Sequence, residues 1–73
     1  GLAIDNLPSS GAVRIFTLSG EQVRNLGFGA VNAGTLIWDG TNHAGLRVAS
    51  GVYFALVKGD DGSSTVIKFA IER

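Results

Sequence analysis

An all-β fold, an antiparallel β-sandwich of six or seven short strands with Ig-like or Greek-key connections, is what this chain predicts from three features. Apolar residues recur at every second position in several short runs. Glycine, asparagine and serine punctuate the intervals between those runs. No stretch carries the 3.6-residue apolar period of a useful amphipathic helix. The chain of 73 residues forms one domain, shorter than the ~100 residues of a typical sandwich.

Leu2 and Ile4 alternate with Ala3 and Asp5 in a short first strand, which stops at Leu7 and Pro8 because proline has no N–H for a ladder. Ser9, Ser10 and Gly11 make the turn. Val13 and Ile15 share one face of the next strand with Arg14 opposite, whereas Phe16 and Leu18 carry the apolar residues onto the other parity. A bulge or a change of cover near Phe16 accounts for that switch. Ser19 and Gly20 signal a hairpin, and the return arm takes its apolar contacts from Val23 and Leu26. Residues 27–34, with three glycines and no period, are expected to be the longest irregular connection, crossing between sheets and pinned by Phe28 and Val31.

Residues 38–54, WDGTNHAGLRVASGVYF, organise the rest. Leu36 and Trp38 lie two apart, as do Val52, Phe54 and Leu56, which places a strand at either end. Gly40, Asn42, Gly45, Ser50 and Gly51 demand at least two reversals between them. Trp38 is expected at the rim of the core with its indole N–H on a loop carbonyl, and Asp39 is expected to tie the loop down by an Asx-type bond. Residues 58–63 read as a polar hairpin loop. The last strand, 65–71, sets Ile67, Phe69 and Ile71 against Lys68 and Glu72. The predicted core is Ile4, Val13, Ile15, Leu36, Trp38, Val52, Phe54, Leu56, Ile67 and Phe69.

Six basic residues balance six acidic ones without a basic stripe, so no electrostatic case arises for nucleic acid. No apolar run approaches the ~20 residues of a membrane-inserted helix. Cysteine is absent, which excludes disulfides and thiolate metal sites. A chain beginning at Gly1, with no initiator methionine, reads as a piece released from a longer precursor, by processing or by design; that it is the C-terminal piece of a secreted one is what the resemblance below implies. A domain this small buries only roughly 60% of the surface its unfolded chain exposes, so a covering partner is expected to add to its stability.

One spaced set of residues goes further. Asn6-Leu7-Pro8, Val13-Arg14-Ile15-Phe16 with Leu18-Ser19-Gly20, Val23-Arg24-Asn25-Leu26, Trp38-Asp39-Gly40, Gly45 and Val48-Ala49-Ser50-Gly51-Val52-Tyr53 together resemble the FlgD-type Ig-like domain over nearly the whole chain. Trp38, Asp39, Gly40, Gly45 and Gly51 are the core of that motif. The family is known from the flagellar hook-capping protein and from C-terminal modules of bacterial secreted and surface proteins, where related domains act as type IX secretion sorting signals. The resemblance implies a secreted or cell-surface bacterial location and no catalytic residue. Members usually carry a strand upstream of the position matching Leu2, so it also implies a sandwich with one uncovered edge.

Candidate chemistry is sparse. His43 with Asp39 and Ser50 contains the residue types of a nucleophile, base and orienter, but all three sit in one glycine-rich loop with no rigid element to fix their geometry. Asp39, Asn42, Asp60 and Asp61 offer oxygens to calcium without the alternating spacing of an EF-type loop. The glycines around Phe28 do not join a strand to a helix and so make no phosphate cradle. Trp38, Tyr53 and Phe54 suggest a carbohydrate-binding module of a secreted enzyme, the rival functional class, yet parity leaves only Tyr53 outside the core.

The chain is therefore read as a non-enzyme without cofactor or metal. Its expected partner is a protein: the same chain in a homo-oligomer or filament, the remainder of its precursor, or secretion machinery. Residues 52–57 are apolar on both parities, and an outer sheet face is ordinarily polar. Ile37, Tyr53, Ala55 and Val57 are accordingly expected on a contact face, with Leu2 and Ile4 on a contact edge open to strand addition.

Overall fold

The computed structural model describes residues 2–72. Six strands run in the order β1 (Leu2–Ile4), β2 (Gly11–Thr17), β3 (Gln22–Phe28), β4 (Leu36–Trp38), β5 (Gly51–Gly59) and β6 (Ser64–Ile71), with a single 3₁₀ turn at Ala30–Asn32. They form two antiparallel sheets, β1-β4 and β3-β2-β5-β6. The chain thus begins in the small sheet, makes the β2–β3 hairpin in the large one, returns for β4, and ends in the β5–β6 hairpin. β5 comes back to lie beside β2, which is what lets two hairpins merge into one sheet.

The β2–β3 register shifts between Ile15, opposite Arg24, and Phe16, opposite Gln22, so the extra residue of the bulge is Val23 on β3, where it packs against the core. β2 itself runs in unbroken register along β5, and the apolar switch at Phe16 is a change of cover, with Val13 and Ile15 inward and Phe16 on the outer face. The two sheets close on Ile4, Leu36 and Trp38 from the small layer and Val13, Ile15, Phe28, Tyr53, Ala55 and Val57 from the large one. Trp38 is 1% exposed. Its ring meets Tyr53 edge-on at 6.2 Å and Phe69 at 6.0 Å, and Tyr53 stacks on Phe69 at 6.0 Å. Such offset and edge-to-face pairs suit the aromatic quadrupole.

Gly11 marks the closest approach of backbones in this core. Its φ is +153°, and a Cβ there would meet the carbonyl oxygen of Lys58. Only glycine lets β2 enter the sheet between β3 and β5.

Three expectations need correction. Val52, Phe54 and Leu56 are not the core side of β5; Tyr53, Ala55 and Val57 are, at 5%, 0% and 6% exposure. The reason is register: Tyr53, Ala55 and Val57 pair with Phe69, Ile67 and Thr65 on β6 and with Thr17, Ile15 and Val13 on β2. Directly opposed residues share a face. Ile4, expected at a contact edge as well as in the core, is buried against the large sheet and offers no contact surface, while Leu2 packs partly buried beside it.

Finally, β3 extends through residues 27 and 28, so the longest irregular connection is 39–50 and not 27–34. Phe28 is buried at the end of β3, but Val31 is 96% exposed and pins nothing.

Candidate functional site

The 39–50 connection is tied down by a network of hydrogen bonds. The Trp38 indole donates to the Thr41 carbonyl at 2.9 Å, the bond a buried tryptophan requires. Asp39 accepts from the Thr41 amide at 3.1 Å and the Thr41 hydroxyl at 2.6 Å, an Asx turn. Arg24 reaches across from β3 to the Thr41 hydroxyl oxygen and the Asn42 carbonyl, at 3.1 and 2.8 Å. Asn42 Oδ1 accepts from the amides of Ala44 and Leu46. Val48 is buried and donates its amide to the Gly40 carbonyl at 2.9 Å, closing the loop base. Tyr53 donates its hydroxyl to the Ala49 carbonyl, four residues upstream, at 2.6 Å, an arrangement of the tyrosine-corner kind found in Ig-like sandwiches.

That network decides the fate of the polar candidates. The Thr41 hydroxyl, then the Thr41 amide, hold the Asp39 carboxyl below its ordinary value, with the Arg24 charge adding a smaller push. The carboxylate is thereby engaged in turn geometry and not in orienting a base. His43 is exposed and contributes its backbone amide to the Val23 carbonyl. Asp60 accepts from the Ser10 hydroxyl at 2.7 Å, stapling the β5–β6 hairpin to the β1–β2 turn. Asp61 is lowered by the Ser63 hydroxyl and amide. Asp39 and Asn42 lie in one loop, Asp60 and Asp61 in another. Among the described residues no group of three His, Cys, Asp or Glu gathers as a metal ligand set.

What remains is surface. The outer face of the large sheet carries Phe16, Val52, Phe54 and Leu56, all half-buried, together with Val66, 62% exposed. Register sets them in rows across β2, β5 and β6: Phe16, Phe54, Lys68; Arg14, Leu56, Val66; Ala12, Lys58, Ser64. Phe54 and Leu56 form the centre, and Arg14, Lys58 and Lys68 surround them. No carboxylate lies in any strand; all six of the sequence are in loops or next to strand ends. Sequence reasoning missed this face because it assigned Phe54 and Leu56 to the core.

The outer face of the small sheet is different. Ala3 and Ile37 pair at its middle, and Ile37 is 71% exposed as expected. Asp5 and Asp39 lie one step beyond β1 and β4 with outward parity. Asp5 accepts from the hydroxyl of Thr35, its cross-strand neighbour, at 3.0 Å. A cleft of about 340 Å³ opens beside this layer, with Leu2, Trp38, Phe69 and Ile71 among its walls. β1 and β4 pair only with each other, so each keeps one unpaired edge among the described residues.

No protein-family model, no curated protein and no solved structure matches this chain. The likeness to the FlgD-type Ig-like domain therefore rests on the spaced residues set out above.

Proposed function

We propose that this domain is a non-catalytic structural module that works through protein–protein contacts outside a bacterial cell, in secretion sorting, surface anchoring or the assembly of an extracellular polymer. One observation carries the reading: the outer face of the four-stranded sheet is apolar at its centre and, among the described residues, has no layer over it. Solvated faces of antiparallel sheets are ordinarily polar, and apolar faces of this kind mark contact sites. The polar residues, by contrast, are used in turns. The extracellular, bacterial setting is what the FlgD-type resemblance implies.

The rival reading as a carbohydrate-binding module needs exposed rings, and two of its three candidates, Trp38 and Tyr53, are buried. Phe54 shares its face with Lys68 and Phe16 in place of a sugar-binding groove. A photo-crosslinking amino acid at position 66, introduced into the parent protein in its native host, tests the proposal. A discrete protein adduct from position 66, absent when the probe sits at His43, is the expected result. Absence of any protein adduct from position 66 would overturn it.

A further inference from the structure

We infer that the partner of the large-sheet outer face is a second copy of this chain, docking through the outer face of its small sheet. The inference rests on the protein-contact reading above and names the partner for that surface. Its ground is charge complementarity between the two sides of one domain. On the large sheet, Arg14, Lys58 and Lys68 surround an apolar centre at Phe54 and Leu56. Across the small sheet, Asp5 and Asp39 flank an apolar centre at Ala3 and Ile37. The three strand cations and the two aspartates lie on opposite sides of the domain, with Arg24 near Asp39 through their shared Thr41 hydroxyl and Arg47 in the cleft beside it. Among the described residues, no ion pair joins Arg14, Lys58 or Lys68 to a carboxylate.

The spacings also agree. Lys68 stands beside Phe54 and Lys58 four residues further along β5, which at ~3.3 Å per residue separates the two cations by roughly 13 Å along the strands and one strand across. Asp5 and Asp39 bracket Ile37 in the same way. Asp5 lies opposite Thr35, four residues before Asp39, again roughly 13 Å along and one strand across. Arg47 is the nearby cation in the 39–50 loop, beside the cleft.

Such a contact is heterologous, since different surfaces meet on the two copies. It leaves one free face at each end and so propagates into a fibre unless it closes into a ring. Exposed charges at this spacing are screened by salt, so assembly weakens as ionic strength rises past the point where the Debye length falls to ~10 Å.

The test uses sedimentation velocity on the purified chain and two single-face variants, with Trp38 emission as the check that each is folded. Lys68→Glu sets an acid against the acidic face, and Ile37→Lys sets a cation against the basic one; both positions are exposed. The wild-type chain should associate at low salt, and each variant alone should associate at least roughly tenfold more weakly. Mixing the two should restore association, because each retains the face the other lacks. Lys68→Arg, which keeps the charge, should behave as wild type. A wild-type chain that stays monomeric at millimolar concentration, or an Ile37→Lys chain that assembles as well as wild type, overturns the inference. A position-66 adduct to a different protein, with a monomeric chain, would remove self-docking and leave the protein-contact reading standing.

Discussion

Replacing Trp38 by alanine removes the largest fully buried side chain of the core, which bridges both sheets and the loop between them. The ring is 1% exposed, lies edge-on to Tyr53 and Phe69, and donates to Thr41. Truncating a buried tryptophan costs about 3–5 kcal/mol, cavity included. The Thr41 carbonyl also loses its donor, a cost of about 1 kcal/mol where water does not replace it. A domain of 73 residues at ~0.05–0.15 kcal/mol per residue has only about 4–11 kcal/mol in total. Trp38→Ala should therefore be largely unfolded or nearly so at 25 °C. Trp38→Phe keeps most of the ring contacts and should stay folded with a lower urea midpoint. Far-UV circular dichroism against urea reads both variants without needing the tryptophan signal. A Trp38→Ala loss under about 1 kcal/mol would refute the placement of the ring at the centre of the core.

Three further outcomes follow from the same coordinates. Gly11→Ala should destabilise by about 1–3 kcal/mol or more in urea melts, since its Cβ meets the Lys58 carbonyl and its φ is +153°; an unchanged midpoint would argue against the close approach of β2 and β5. Tyr53→Phe should cost about 1–3 kcal/mol by leaving the Ala49 carbonyl without its donor, whereas a neutral effect would mean that water replaces the bond. Asp39 and Asp61 have lowered pKa values in the folded chain, so their contribution is complete above the unfolded carboxylate range and is lost as pH falls below about 4. Urea midpoints should be flat from neutral pH down to that point and then decline, with a smaller decline in Thr41→Val. Both carboxyls are exposed, so the step is small.

Much of the architecture was legible where a local signal had one reading, as at Ser19 and Gly20, which reverse the chain between β2 and β3. The parity change at Phe16 had two, a bulge or a change of cover, and it is the second, with Phe16 on the outer face; β1 ends at Ile4, ahead of Pro8, where Asn6 turns at a φ of +57°. Trp38 and Asp39 behave as their chemistry requires, one with an indole needing an acceptor, the other with a short carboxylate that bonds two residues on. β5 was ambiguous because residues 52–57 are apolar on both parities, so periodicity alone assigns no inward face. The missing constraint was the hairpin. A loop that pairs Lys58 with Ser64 forces odd positions of β5 opposite odd positions of β6. Phe69 and Ile67 inward therefore require Tyr53 and Ala55 inward, and placing Phe54 in the same core was incompatible with that pairing. Val48 escaped notice for another reason. Its burial follows from the closure of the 39–50 loop by the Gly40 carbonyl, a long-range bond with no sequence period.

The proposed contact depends on which side of β5 faces out, and a single thiol measures that directly because the chain has no cysteine of its own. Phe54→Cys and Ala55→Cys place the probe at adjacent positions on opposite faces, half-buried at the outer surface and fully buried in the core. Labelling with a thiol reagent under native conditions, on dilute chain at high salt to keep it monomeric, should be fast at position 54. At position 55 it should be slower by orders of magnitude and should reach that rate only when urea unfolds the domain. Fast labelling at 55 with protection at 54 in a folded monomer would contradict the account, since it would return Phe54 and Leu56 to the core and remove the apolar face.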